Sequence, residues 1–175
     1  HYAAALGPDI GWFEEGEASM RKRKVRAVQI IYNILEQEPA SRFFPIAEQE
    51  NIGLISRVPH ASDVLTRQYY HPPELDPSDH RGHRKKDWID QALKKAKMLK
   101  FLSEDTGRTL AQSAIKFCLA QSSIVSVLPN ITGMEELTEY ASTSETSPLS
   151  SEELEKLNEL WQEGFYLEEA PTAVE

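Results

Sequence analysis

Four short apolar runs recur along the chain: Ala3-Ala4-Ala5-Leu6, Ala27-Val28-Gln29-Ile30-Ile31, Ile52-Gly53-Leu54-Ile55 and Ile124-Val125-Ser126-Val127-Leu128. Between them lie longer segments whose apolar residues return at helical spacing. Strands that read as continuous apolar stretches are buried on both faces, and parallel strands need long crossovers, so the alternation predicts a parallel sheet carrying helices. Closing a barrel from such units takes eight of them and roughly 250 residues. This chain has 175 residues and four runs. The expected class is therefore α/β: four parallel β/α units, half of a (β/α)8 TIM-type barrel, plus a C-terminal helix.

Hydrophobic residues at 40% and charged residues at 27% match a soluble globular domain, and the length suffices to bury one core. A formal net charge of −9 repels a polyanion, so nucleic acid is not expected as a partner. No apolar run approaches the ~20 residues that span a bilayer, and no apolar leader opens the chain, so no membrane association is expected. The single cysteine, Cys118, falls on an apolar helical face and cannot pair within the chain. A buried, inert thiol in a cytoplasmic protein is the simplest reading. The first run begins beside His1 with no turn ahead of it, which predicts a further segment or a partner there.

A helix is expected from Asp9 to about Met20, acidic at its start and weakened by Gly11 and Gly16. The Arg21-Lys22-Arg23-Lys24 run reads as its solvated end. A second helix covers Glu38 to Glu50, with Pro45 arguing for a break or kink. The stretch 58–85 is rich in Pro, His, Asp and Arg and leaves the C-terminal end of a strand, so it is expected to be a lid-like loop on the ligand face. Zinc takes three or four ligands, and no cysteine pattern accompanies His71, His80 and His83, so no metal is expected. Asp87 to Ser103 carries an apolar stripe from Trp88 to Leu102. Thr109 with Gln112, Thr132 with Glu135 and Ser150 with Glu153 each match a capping box and open three more helices. Residues 1–164 read as one unit, and 165–175 as an acidic tail that frays.

The order Val28-Gln29-Ile30-Ile31-Tyr32-Asn33, Ile52-Gly53-Leu54-Ile55 to Pro59, Thr109-Leu-Ala-Gln to Leu119-Ala-Gln, and Val125-Ser-Val-Leu-Pro129 before Glu135-Glu136-Leu137 resembles the C-terminal half of the aldo-keto reductases. The resemblance runs from His1 to about Gly164. It implies a barrel that reduces an aldehyde or ketone substrate with a nicotinamide cofactor, usually NADPH with NADH as the other form, and no metal. The family's catalytic Asp, Tyr, Lys and His lie in its N-terminal half, so the resemblance implies no catalytic residue here. It implies instead a cofactor cradle, with an N-terminal half-barrel, or a second copy of the chain, completing the ring.

Within that cradle, Gln29 matches the position whose amide pairs with the nicotinamide carboxamide, a task that needs one donor and one acceptor. Arg57 and Val58 match the residues at the nicotinamide, where many members carry a Tyr; a guanidinium plane can also stack on a ring. Asn130, Ile131, Thr132, Gly133 and Glu136 match the stretch that grips the adenosine end, with Tyr140 further along. Amides at that helix start can receive a phosphate. Ala5 and Leu6 stand where many members have Ser-Asn, and no cation occupies the usual 2′-phosphate position. These departures carry the alternative of a non-catalytic half-barrel, a binding or regulatory module that oligomerises to close its sheet.

Overall fold

The computed structural model describes residues 1–7, 10–66 and 86–167. His71, His80, His83, most of the lid-like loop and most of the acidic tail lie outside the described residues. Four strands form one sheet in sequence order: β1 (Ala3–Ala5), β2 (Ala27–Ile31), β3 (Gly53–Arg57) and β4 (Ile124–Leu128). All three pairings are parallel. Between and after them run α1 (Phe13–Arg21), α2 (Glu38–Glu50), α3 (Lys86–Lys97), α4 (Leu110–Leu119), α5 (Met134–Ala141) and α6 (Ser151–Gln162). The four parallel β/α units expected from the apolar runs are present.

Side chains alternate across each strand, and the two faces differ. Val28, Ile30, Leu54, Ser56 and Ile124 are buried toward the helices, where the core gathers Tyr32, Phe43, Leu65, Leu99, Leu102 and Phe165. On the other face, Ala3, Ala5, Val125 and Leu128 are exposed, and Gln29, Ile55 and Arg57 are half-buried. Parallel sheets are ordinarily covered on both sides. The core lies on the helix side; on the other face, among the described residues, Ile31 alone is buried.

Register explains one irregularity. Leu54 pairs with Ile124 but Ile55 pairs with Ser126, so β4 carries an extra residue there. A Cβ on Gly53 would lie 2.7 Å from Val125 Cγ2. The missing side chain of Gly53 makes the room that Val125 fills.

Of the break or kink expected at Pro45, no break occurs: helix α2 runs through it without ending. The ring removes the bond to the Ser41 carbonyl, but Ser41 and Pro45 both face solvent, where water replaces that donor. The third helix ends at Lys97 and a 3-10 turn, Lys100–Leu102, follows, so its last turn is tighter than the stripe to Ser103 implies. Thr109 and Gln112 form the expected capping box, as do Ser150 and Glu153. A buried Arg108 locks these two helix starts together. It donates from Nε to Ser113 Oγ (3.1 Å), from Nη1 to Ser147 Oγ (2.9 Å) and the Pro148 carbonyl (3.1 Å), and from Nη2 to the Glu153 carboxylate.

Candidate functional site

The expected cofactor residues fall at the C-terminal rim of the sheet, the end where β/α barrels place their ligands. Gln29 follows Val28 and precedes Ile30, both buried against helices, so alternation turns its amide to the open face. Its register neighbours are Ala5 on one side and Ile55 on the other. Ala5 presents only a methyl group beside the amide.

Arg57 stands one level nearer the rim, opposite Ile31 and Leu128. Its Nη2 donates to the Gly7 carbonyl in the turn after β1. The guanidinium therefore crosses β2, the strand that carries Gln29, and places a planar cation at the same mouth. Gly7 in turn is covered by the Trp12 ring: a Cβ there would lie 2.0 Å from Trp12 Cε2.

The next residue is strained. Val58 has φ 56°, a left-handed conformation that a β-branched side chain rarely adopts and that costs on the order of 1–3 kcal/mol. Asn33, fully buried, holds it there: Nδ2 donates to the Val58 carbonyl (3.0 Å) and to Glu36 Oε2 (2.9 Å), while Oδ1 accepts from Leu35 N (2.9 Å). Ala61, Ser62 and Asp63 continue with positive φ. Hydrogen bonds Ala61 N to Val58 O (3.0 Å) and Leu65 N to His60 O (3.1 Å) close the turn. Ala61, Val64 and Leu65 are buried. The first residues of the expected lid are thus a packed turn that fixes the rim.

His60 was not among the expected site residues, yet it joins this turn to two helices. It is 2% exposed, its Nε2 lies 3.2 Å from the Ala111 carbonyl, and its ring centroid is 4.5 Å from that of Tyr140. Nδ1 is buried with no partner among the described residues. Burial drives its pKa down to about 4, against the weaker opposing pull of the Ala111 carbonyl and Glu136.

The turn after β4 brings Asn130, Ile131, Thr132, Gly133 and Glu136 together, but one residue out of the expected phase. The N-cap is Gly133, not Thr132, and the third helical position is Glu136, not Glu135. The reason is visible in the bonds. Glu136 Oε2 accepts from Thr132 N (2.5 Å), Thr132 Oγ1 (2.8 Å) and Gly133 N (3.2 Å). The Thr132 and Gly133 amides are thereby turned onto the chain's own carboxylate. Tyr140, packed behind them, has its hydroxyl pKa pushed up by burial first and then by Glu136, Glu139 and Asp63.

At the other end of the strands, a cavity of about 280 Å³ is lined by Ala47, Asn51, Gly53, Ser123 and Val125 among others. None of the expected residues reaches it. Cys118 is buried on the helix side of the sheet with its pKa pushed up to about 12 by burial, and it donates to the Tyr32 carbonyl (3.4 Å). Among the described residues no three His, Cys, Asp or Glu side chains cluster as a metal site. No helix there is long and apolar enough to cross a membrane.

Four parallel β/α units with polar side chains gathered at the strands' C-terminal ends define the class of the (β/α)8 barrels. The chain belongs to the aldo/keto reductase family, whose family model matches residues 14–162. Its curated relatives include a probable voltage-gated potassium channel subunit beta of Arabidopsis thaliana, 29% identical over 126 residues, covering 67% of this chain and 38% of that protein. The counterpart from Oryza sativa subsp. japonica is 26% identical, with 70% and 39% covered. Among solved structures, the holo form of an aldo-keto reductase from Bacillus halodurans superposes with TM-score 0.65 at 21% identity, covering 91% of this chain and 49% of that one. A glycerol dehydrogenase from Gluconobacter oxydans gives TM-score 0.68 at 16% identity, covering 87% and 48%. The chain spans less than half the length of each of these proteins.

Proposed function

We propose that this chain is the cofactor-binding half of a nicotinamide-dependent carbonyl reductase, cytoplasmic, whose catalytic Asp, Tyr, Lys and His belong to an N-terminal half-barrel that closes the open face. The carrying observation is Gln29: an amide on the uncovered face, beside the small Ala5 and beneath a guanidinium anchored across the rim. That arrangement fits a nicotinamide ring. Gln29 would exchange a donor and an acceptor with the carboxamide, and Arg57 with Val58 would bound the ring from the rim. Asn130, Ile131, Thr132, Gly133 and Glu136 would meet the adenosine end. The cofactor, NADPH or NADH, supplies a hydride to the carbonyl carbon of an aldehyde or ketone when bound. This chain's residues bind, orient and cover; proton donation falls to the other half.

Trp12 makes the test direct, because its ring covers Gly7, the anchor of Arg57. Titrating the full chain with NADH or NADPH is expected to quench tryptophan emission to a plateau, and Gln29→Ala is expected to weaken that response about tenfold, as loss of a hydrogen-bonded amide does. A flat titration at millimolar nucleotide refutes the cradle. A second reading, a non-catalytic regulatory module that pairs with another copy, is favoured by the channel-subunit relatives and by the exposed Val125 and Leu128 on edge strand β4. Light scattering separates the two: a species of 19.8 kDa rules out self-closure.

A further inference from the structure

Resting on that cradle reading, we propose that the turn after β4 rejects a 2′-phosphate, so that this chain takes a nicotinamide dinucleotide whose adenosine ribose carries free 2′- and 3′-hydroxyls.

The argument begins with reach. Neighbouring strands lie about 4.8 Å apart, so the β4 rim is two strand spacings from β2, and a dinucleotide held at Gln29 extends across Arg57 to the turn at 129–133. The start of α5 should be the natural anion site there, since its first amides point outward and the helix dipole favours negative charge. Here the donors just ahead of the first helical residue are already engaged. Thr132 N, Thr132 Oγ1 and Gly133 N all donate to Glu136 Oε2, so a phosphate can use these donors only by expelling a carboxylate bonded to its own helix.

The surroundings reinforce the exclusion. From Pro129 to Tyr140 the chain carries Glu135, Glu136 and Glu139 and no Lys or Arg. Glu136, Glu139 and Asp63 all act on the Tyr140 hydroxyl, and Glu136 also acts on His60, which places these carboxylates around one small region. His60 adds no charge there: it is buried, and its Nδ1 has no partner among the described residues. A carboxylate accepts hydrogen bonds from a ribose diol and repels a dianionic phosphate, the same division that separates the two dinucleotides at other folds.

The experiment is calorimetric titration of the full chain with NADH and with NADPH, repeated on Glu136→Gln. Glutamine keeps the acceptor that caps Thr132 and Gly133 while removing the charge. Wild type is expected to bind NADH about tenfold or more tighter than NADPH, and the variant to lose most of that ratio by gaining NADPH affinity, the size expected of one partly screened charge. NADPH binding as tightly as NADH in the wild type overturns the inference and leaves the cradle standing, as does a ratio unchanged in Glu136→Gln. Binding of neither nucleotide to either protein overturns the cradle, and the inference with it.

Discussion

Acid should loosen this fold through His60 before it acts on most of the structure. The imidazole is 2% exposed, wedged between the Ala111 carbonyl and the Tyr140 ring, and stays neutral in the fold until about pH 4. In the unfolded chain it takes up a proton near its ordinary 6.5. The folded pKa is the lower one, so His60 contributes its full stability above pH 6.5 and loses it as pH falls toward 4. At 1.36 kcal/mol per pH unit the window is worth about 3 kcal/mol, a large share of a typical 5–15 kcal/mol. Urea unfolding followed by circular dichroism, at about pH 7.5 and about pH 4.5, reads it as a fall in midpoint. His60→Gln keeps a donor for the Ala111 carbonyl and cannot titrate, so the difference in pH dependence between the two proteins isolates the imidazole from the carboxylates. Equal losses in both would refute the reasoning.

Arg108→Met should cost about 3–5 kcal/mol in urea unfolding, because it leaves the largely buried Glu153 carboxylate without its counter-charge and removes the donor to the Ser113 and Ser147 hydroxyls; an unchanged midpoint contradicts the locking role. Gly7→Ala places a methyl 2.0 Å from Trp12 Cε2, so the ring must swing outward and the tryptophan emission should shift to the red; an unshifted spectrum shows that the ring does not cover Gly7.

How much of this was legible in the sequence depends on the range of the interaction that decides it. The four strands could be read from their apolar runs, and the face of Gln29 follows from Val28 and Ile30 on either side of it, since alternation is local. The α4 and α6 starts were legible for the same reason: a capping box closes within four residues. The extra residue in β4 was not, because it depends on Gly53 making room for Val125 across strands that are distant in the chain. That α2 continues past Pro45 was not legible, because the cost of the proline turns on which face of α2 meets solvent. At the rim, Gln29, Arg57 and the 130–133 turn are proposed on resemblance. Asn33 and His60 were missed because an Asn at a strand end and a His after a Pro become informative only through Val58 and Tyr140. Thr132 and Glu135 fit the capping pattern as well as Gly133 and Glu136 do; the side-chain hydroxyl of Thr132, itself donating to Glu136, moved the cap by one residue.

The central claim is that nucleotide binds at the C-terminal rim of the sheet, and the most direct measurement is a two-dimensional nitrogen–proton spectrum of the labelled full chain with and without NADH. The account predicts shifts gathered on the Gln29 side-chain amide, on the amides of Arg57 and Val58, and on Asn130 to Gly133. Shifts gathered instead on Ala47, Asn51 and Ser123 at the opposite end, or no shifts at all, would contradict it.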